Sequence, residues 1–309
     1  MDPVPAEGPA KFDTPAPRMQ RPMRPRELQD PLNYYLYHPL AWQLARLLAH
    51  TPITPNMVSV VGAGFVVAAG LAYTQLAWPL AAVLGMVLHM TWHVVDGADG
   101  DLARLTGRSS PIGEMVDGLC DYLSHIVVYL MLAAMLAQST GLFSGWLAWV
   151  LVVGAGISHA LQANHVEVQR RQYQWWVYGT PWLRNSHDKA GSATSQTWAG
   201  KLVSSYIAVA SGMTPEALRI DAAVEQAKGN KARLDEIAAA VRAEAPPLLF
   251  LCKVLGPNPR AIILGLSMIA GSPLWYFIYL SVGLNLLLLV SVRLHDAAAG
   301  RVVARLDLP

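Results

Sequence analysis

Apolar residues gather into six runs along the chain, at about 56–74, 77–98, 112–137, 144–163, 259–272 and 274–292, with short polar or Gly- and Pro-bearing segments between most of them. Most runs come near the ~20 residues that an α-helix needs to cross hydrocarbon, so the pattern predicts membrane-spanning helices. The fifth run is the shortest. Ahead of the first, the stretch 40–50 sets Gln43, Arg46 and His50 on one side of a helix, with Leu40, Trp42, Leu44 and Leu47 elsewhere. That spacing suits a helix lying in the interface. Between the fourth and fifth runs, about 174–256 is a long, mostly polar insertion. Thr214, Pro215 and Glu216 sign the start of a helix running to about Lys228, and Gly229 and Asn230 break the chain. A second helix, about 231–244, is expected to stop at Pro246 and Pro247. The two read as a helical hairpin packed under the membrane unit on its cytosolic side.

Composition agrees with the pattern: 53% of the 309 residues are hydrophobic and 14% charged, where soluble domains carry about a quarter. The mean hydropathy of +0.32 places the chain in a bilayer. The turns Thr74–Trp78, Gln138–Gly145 and Gly271–Pro273 hold no Lys or Arg, whereas Arg104, Arg108, Arg170, Arg171, Arg184, Lys189 and Lys201 occupy the opposite loops. Arg21, Arg24, Arg26 and Arg46 precede the first run, and Arg293 and Arg301 follow the last. By the positive-inside rule both termini face the cytosol. A net charge of +2 gives no reason to expect nucleic acid. Residues 1–30, rich in Pro and lacking the apolar centre of a signal peptide, read as a disordered leader. Cys120 and Cys252 fit no CxxC pattern and read as reduced thiols. The organisation expected is therefore a leader (1–30), an interfacial helix with four membrane helices (31–173), the insertion (174–256), and two further membrane helices with a tail (257–309). In fold class this is an all-α polytopic membrane protein with six transmembrane helices.

Candidate chemistry is concentrated in residues 94–125. Asp96 and Asp99 are three apart near the end of one predicted helix, and Asp117 and Asp121 are four apart on the next, so each pair shares a face. Two helices joined by a short turn can aim all four carboxylates at one volume. Asp117 and Asp121 run into a continuously apolar stretch, where ionisable groups are costly unless they are paired or bind ions. Carboxylates favour hard cations, so Mg²⁺ or Mn²⁺ is the expected partner. Gly97, Gly100, Ala103 and Gly113 would let a phosphate-bearing ligand approach the backbone, or would serve helix packing. Arg104 adds a planar cation suited to phosphate oxygens.

These residues resemble the signature of the CDP-alcohol phosphotransferases, DxxDGxxAR, eight residues, then GxxxDxxxD. Asp96, Asp99, Gly100, Ala103, Arg104, Gly113, Asp117 and Asp121 fill every fixed position. The resemblance extends loosely over about 24–294, including Thr54, Pro55 and Asn56, with Ser59 where many relatives have Thr. It implies a six-helix membrane fold with its site open to the cytosolic leaflet, in a bacterial inner membrane. Asp96, Asp99, Asp117 and Asp121 would hold two divalent ions, Asp121 would also act as general base, and Asn56, Gly100, Ala103, Arg104 and Gly113 would hold the CDP portion. The implied partners are a CDP-linked donor, an alcohol acceptor and the lipid bilayer, with a second copy of the chain as a candidate.

Beyond the signature, Arg170 and Arg171 could bind an acceptor's phosphate or form an interfacial anchor with Trp175 and Trp176. His93 and His125 suit hydrogen bonding behind the acids better than ligation, and Asn258 and Arg260 could reach the site or snorkel. The favoured reaction is transfer from CDP-diacylglycerol to a small polar alcohol. The SSPIGE stretch from Ser109 to Glu114 is also similar to that of choline- and ethanolamine-phosphotransferases, which use a CDP-amino-alcohol and a lipid acceptor. A prenyltransferase would want two separated acid clusters, and a cation transporter would want acids near the midplane of symmetric halves.

Overall fold

A computed structural model describes residues 25–180 and 214–309. Most of the predicted leader and part of the insertion therefore lie outside the described residues. Those described are helical, without strands, and five helices are long and apolar enough to cross a membrane. They are α2 (Pro55–Gln75), α3 (Leu80–Leu105), α4 (Pro111–Ala137), α5 (Trp146–Tyr178) and α9 (Leu274–Arg305). Before them α1 (His38–Leu48) follows a π-turn at Asn33–Tyr37, and a second π-turn interrupts α9 at Tyr279–Gly283. The chain is an all-α polytopic membrane protein. The fifth predicted run forms α8 (Pro257–Ile269), only 13 residues. Bounded by Pro257 and the Gly271-Ser272-Pro273 turn, it is about 20 Å long, short of the ~30 Å hydrocarbon core. Among the described residues five helices thus reach full spanning length, and the fifth of the six expected runs is represented by the short α8.

Local chemistry explains the helix starts that matter. At α2, Thr54 Oγ1 accepts from the Met57 amide at 3.3 Å with Pro55 in the first turn; at α4, Ser110 Oγ accepts from the Gly113 amide at 3.0 Å with Pro111 following. Between them the turn after α3 closes through Gly107, at φ +65°, which glycine adopts without a steric penalty. α3 and α4 both pack closely on α2, α1 lies along α3, and α5 joins α4 to α9, while α8 returns to α3. Gly85 marks the closeness of α2 and α3, because a Cβ there would stand 2.4 Å from the fully buried ring of Tyr73. Gly85→Ala should therefore destabilise the bundle by about 1–3 kcal/mol. A lowered thermal midpoint in detergent, with expression retained, is the expected result.

α6 (Pro215–Gln226) and α7 (Lys231–Val254) arise in the insertion. Thr214 caps α6, as its position suggested, and Asn230, read from the sequence only as a break, caps α7. The expected stop at Pro246 and Pro247 is overturned: α7 continues through both to Val254. Interior prolines cost a helix about 3 kcal/mol or more. Burial of Ile237, Val241, Ala245 and Leu249 on either side of them offsets that cost. α6 and α7 dock chiefly on the ends of α5 and α9.

The segment before α1 fastens these parts together. Asp30 accepts from Asn258 Nδ2 at 2.8 Å through both of its oxygens, and Glu27 accepts from the Tyr178 and Tyr173 hydroxyls. Burial alone would raise the Glu27 carboxyl, but the Tyr178 hydrogen bond, with its own backbone amide, Tyr173 and Arg242, outweighs it and holds the group below its ordinary value. That contribution is complete at neutral pH and is lost as pH falls through the lowered value.

Candidate active site at the acid-bearing end of the bundle

Because α3 ends where α4 begins, the last turns of one and the first turns of the other face the same volume. Oxygens from Asp96, Asp99 and Asp117 lie within 4.8 Å of one another. The Asp96 and Asp121 carboxyls meet at hydrogen-bonding distance, and so do those of Asp99 and Asp117. Carboxylates in contact repel unless a cation or a shared proton stands between them. Oxygens on opposite sides of an octahedral Mg²⁺ are about 4 Å apart, so this all-oxygen set fits a hard divalent cation with movements of under an ångström.

Neighbouring side chains fix the acids. Ser59 Oγ on α2 donates to Asp99 Oδ2 at 2.5 Å, and the Gly100 amide donates to Asp99 Oδ1. The hydroxyl at position 59 therefore orients the Asp99 carboxylate. Trp92 Nε1 donates to Asp121 Oδ1 at 3.2 Å. Arg104 pairs with the buried Asp101, and its guanidinium passes over Gly100, where an added Cβ would meet it at 3.5 Å. A Cβ on Gly113 would meet Ser110 Oγ at 3.3 Å and Asn56 Oδ1 at 3.5 Å, so Asn56, Gly113 and the cap of α4 adjoin. Gly97 serves packing instead: a Cβ there would approach the Ala41 methyl of α1 at 3.1 Å. Ala103 lies one turn from Gly100 on α3, which ends at Leu105.

Two contributors escaped the sequence reading. Asp101 occupies a variable position of the signature, yet it is buried and holds Arg104 from three residues away. Trp92 lies four residues before Asp96 on the same helix face, a spacing that could have singled it out.

The remaining candidates separate. His125 binds the Asp121 carbonyl through Nδ1 at 2.8 Å, and His93 stacks on Tyr37 at 5.0 Å between centroids. Arg260 is buried at 4% exposure rather than snorkelling, with Gln162 Oε1 at 3.4 Å, and Asn258 is committed to Asp30. Arg170 and Arg171, each about half exposed, both pair with Glu167, at 3.7 and 2.6 Å. Cys120 and Cys252 are free thiols.

Comparison with known proteins agrees with this geometry. Over 83 residues, 27% of its length, the chain is 32% identical to Cholinephosphotransferase 1 of Xenopus laevis, and the match covers 19% of that protein. The profile of the CDP-alcohol phosphatidyltransferase family matches residues 52–212, more than half of the 309 and inclusive of all four acids. The chain belongs to the CDP-alcohol phosphatidyltransferase family.

Proposed function

We propose that the chain is a membrane transferase that moves a phosphate-linked group from a CDP-activated donor to an alcohol hydroxyl, with release of CMP in phospholipid synthesis. The convergence of Asp96, Asp99, Asp117 and Asp121 beside Arg104, Asn56 and Gly113 carries this reading. The acceptor oxygen forms a bond to the donor's distal phosphorus, the bond from that phosphorus to the CMP oxygen breaks, and the hydroxyl proton passes to Asp121. Asp96, Asp99, Asp117 and Asp121 would hold two Mg²⁺ or Mn²⁺ ions, which when bound neutralise charge on the pyrophosphate and on departing CMP. Arg104, kept in place by Asp101, offers its fork to the donor phosphates, and Asn56, Gly100, Ala103 and Gly113 line the approach of the CDP portion. The site and both termini face the cytosol, in keeping with the distribution of Lys and Arg.

Two donor classes compete. The match to a cholinephosphotransferase and the Ser109–Glu114 stretch favour a CDP-amino-alcohol donor with a lipid acceptor. Transfer from CDP-diacylglycerol to a phosphorylated alcohol would require Arg170 and Arg171 to leave Glu167 for the acceptor's phosphate. The test is CMP release by purified protein from CDP-choline, CDP-ethanolamine or CDP-diacylglycerol against a panel of lipid and small-alcohol acceptors. Turnover of CDP-choline or CDP-ethanolamine with diacylglycerol is expected, and absence of CMP release from every donor would sink the proposal. On the CDP-diacylglycerol reading, replacing Arg170 or Arg171 by Ala raises the acceptor KM about ten- to a hundred-fold, with Lys rescuing in part. A neutral acceptor leaves KM unchanged in both variants.

A further inference from the structure

The Trp92–Asp121 contact joins α3 directly to α4, two helices that otherwise pack chiefly on α2. Trp92 is 7% exposed and confined on three sides. On α2, the indole lies against Gly62, where a Cβ would stand in van der Waals contact at 3.5 Å from Trp92 Cδ1. His93 meets the indole at 4.5 Å between ring centroids, and His125 meets it edge-on at 4.8 Å. His93 is itself stacked on Tyr37, and His125 is tied to the Asp121 carbonyl at 2.8 Å. The indole thus has a fixed orientation and offers one N–H, no acceptor and no charge.

A terminal carboxylate torsion is broad, so an aspartate without lateral bonds samples many orientations. Trp92 engages Asp121 Oδ1 while the same carboxyl meets that of Asp96, so the indole N–H limits how the group can turn. We propose that Trp92 is a positioning residue for the transfer, its indole N–H pinning Asp121 Oδ1 so that the second oxygen faces the acceptor hydroxyl. This rests on the reading of Asp121 as the base. Trp92 acts through Asp121, so its loss should appear chiefly in kcat, with donor affinity retained and any loss of metal binding smaller than the loss in kcat.

The test replaces Trp92 by Phe and, separately, by 3-benzothienylalanine, which keeps the fused ring and substitutes sulfur for the N–H. CMP release from CDP-choline with diacylglycerol in mixed micelles is measured, or from whichever donor and acceptor pair the panel identifies. Mn²⁺ binding is followed by the paramagnetic resonance of the free ion. Both variants are expected to lose about ten- to a hundred-fold in kcat, the worth of a hydrogen bond to a charged group, with donor KM unchanged and any loss of Mn²⁺ binding smaller than the loss in kcat. Wild-type kcat in the benzothienylalanine protein overturns the proposal, because the ring alone then suffices. A raised donor KM at unchanged kcat overturns it as well, by placing Trp92 in the donor site. Asp121→Asn is run alongside: if it stays active, the base assignment fails, which is distinct from failure at Trp92.

Discussion

Asp121→Asn is expected to lower turnover about 10²–10⁴-fold while binding of the CDP donor survives, the loss that follows removal of a general base. Asparagine keeps the size of the side chain and can still accept the Trp92 N–H, which bonds Asp121 at 3.2 Å, so the bundle should fold as before. What it loses is the capacity to take a proton. Donor binding by titration calorimetry, set beside single-turnover CMP release, separates the two effects. Full activity in the variant would remove Asp121 from the chemistry.

Asp99→Asn has a different expected signature. Its two oxygens already accept from Ser59 and from the Gly100 amide, so an amide NH₂ placed there sets donor against donor on one side. A carboxylate is also lost from the trio within 4.8 Å. Metal-dependent donor affinity should fall by about ten- to a hundred-fold or more, since a charged contact to the cation disappears. In the parent protein, chelation should abolish CMP release, Mg²⁺ or Mn²⁺ should restore it, and Ca²⁺ should bind but support turnover poorly, being larger and looser in geometry. Metal-independent release would contradict the role given to the acids.

The acids were legible because helix periodicity converts a spacing of three or four residues into a shared face, and the short 106–110 turn brings two such faces together. The cap Thr214 was legible for the same local reason, whereas Thr54, Ser110 and Asn230 show their capping role only in the structure. What escaped depends on partners distant in sequence. Pro246 and Pro247 read locally as a stop, and burial of the surrounding α7 face reverses that reading. Gly97 reads equally as a ligand approach or a packing site until Ala41 is seen against it, 56 positions away in the chain. Trp92 and Asp101 sit at positions that the signature leaves open, and their roles emerge from the α4 carboxylate and the Arg104 side chain that they meet. Arg170 and Arg171 read as acceptor ligands or an interfacial anchor, and their pairing with Glu167, three and four residues before them, shows only in the structure.

α5 has 33 residues and α9 has 32. At 1.5 Å per residue each is nearly 50 Å long, roughly 20 Å more than hydrocarbon requires. At one end of these helices Tyr173, Ala299, Val302, Val303 and Leu306 are buried among residues of α6 and α7. Trimming the insertion back to a short linker would therefore bare these apolar side chains. The described part of the insertion is a cover for the apolar ends of α5 and α9.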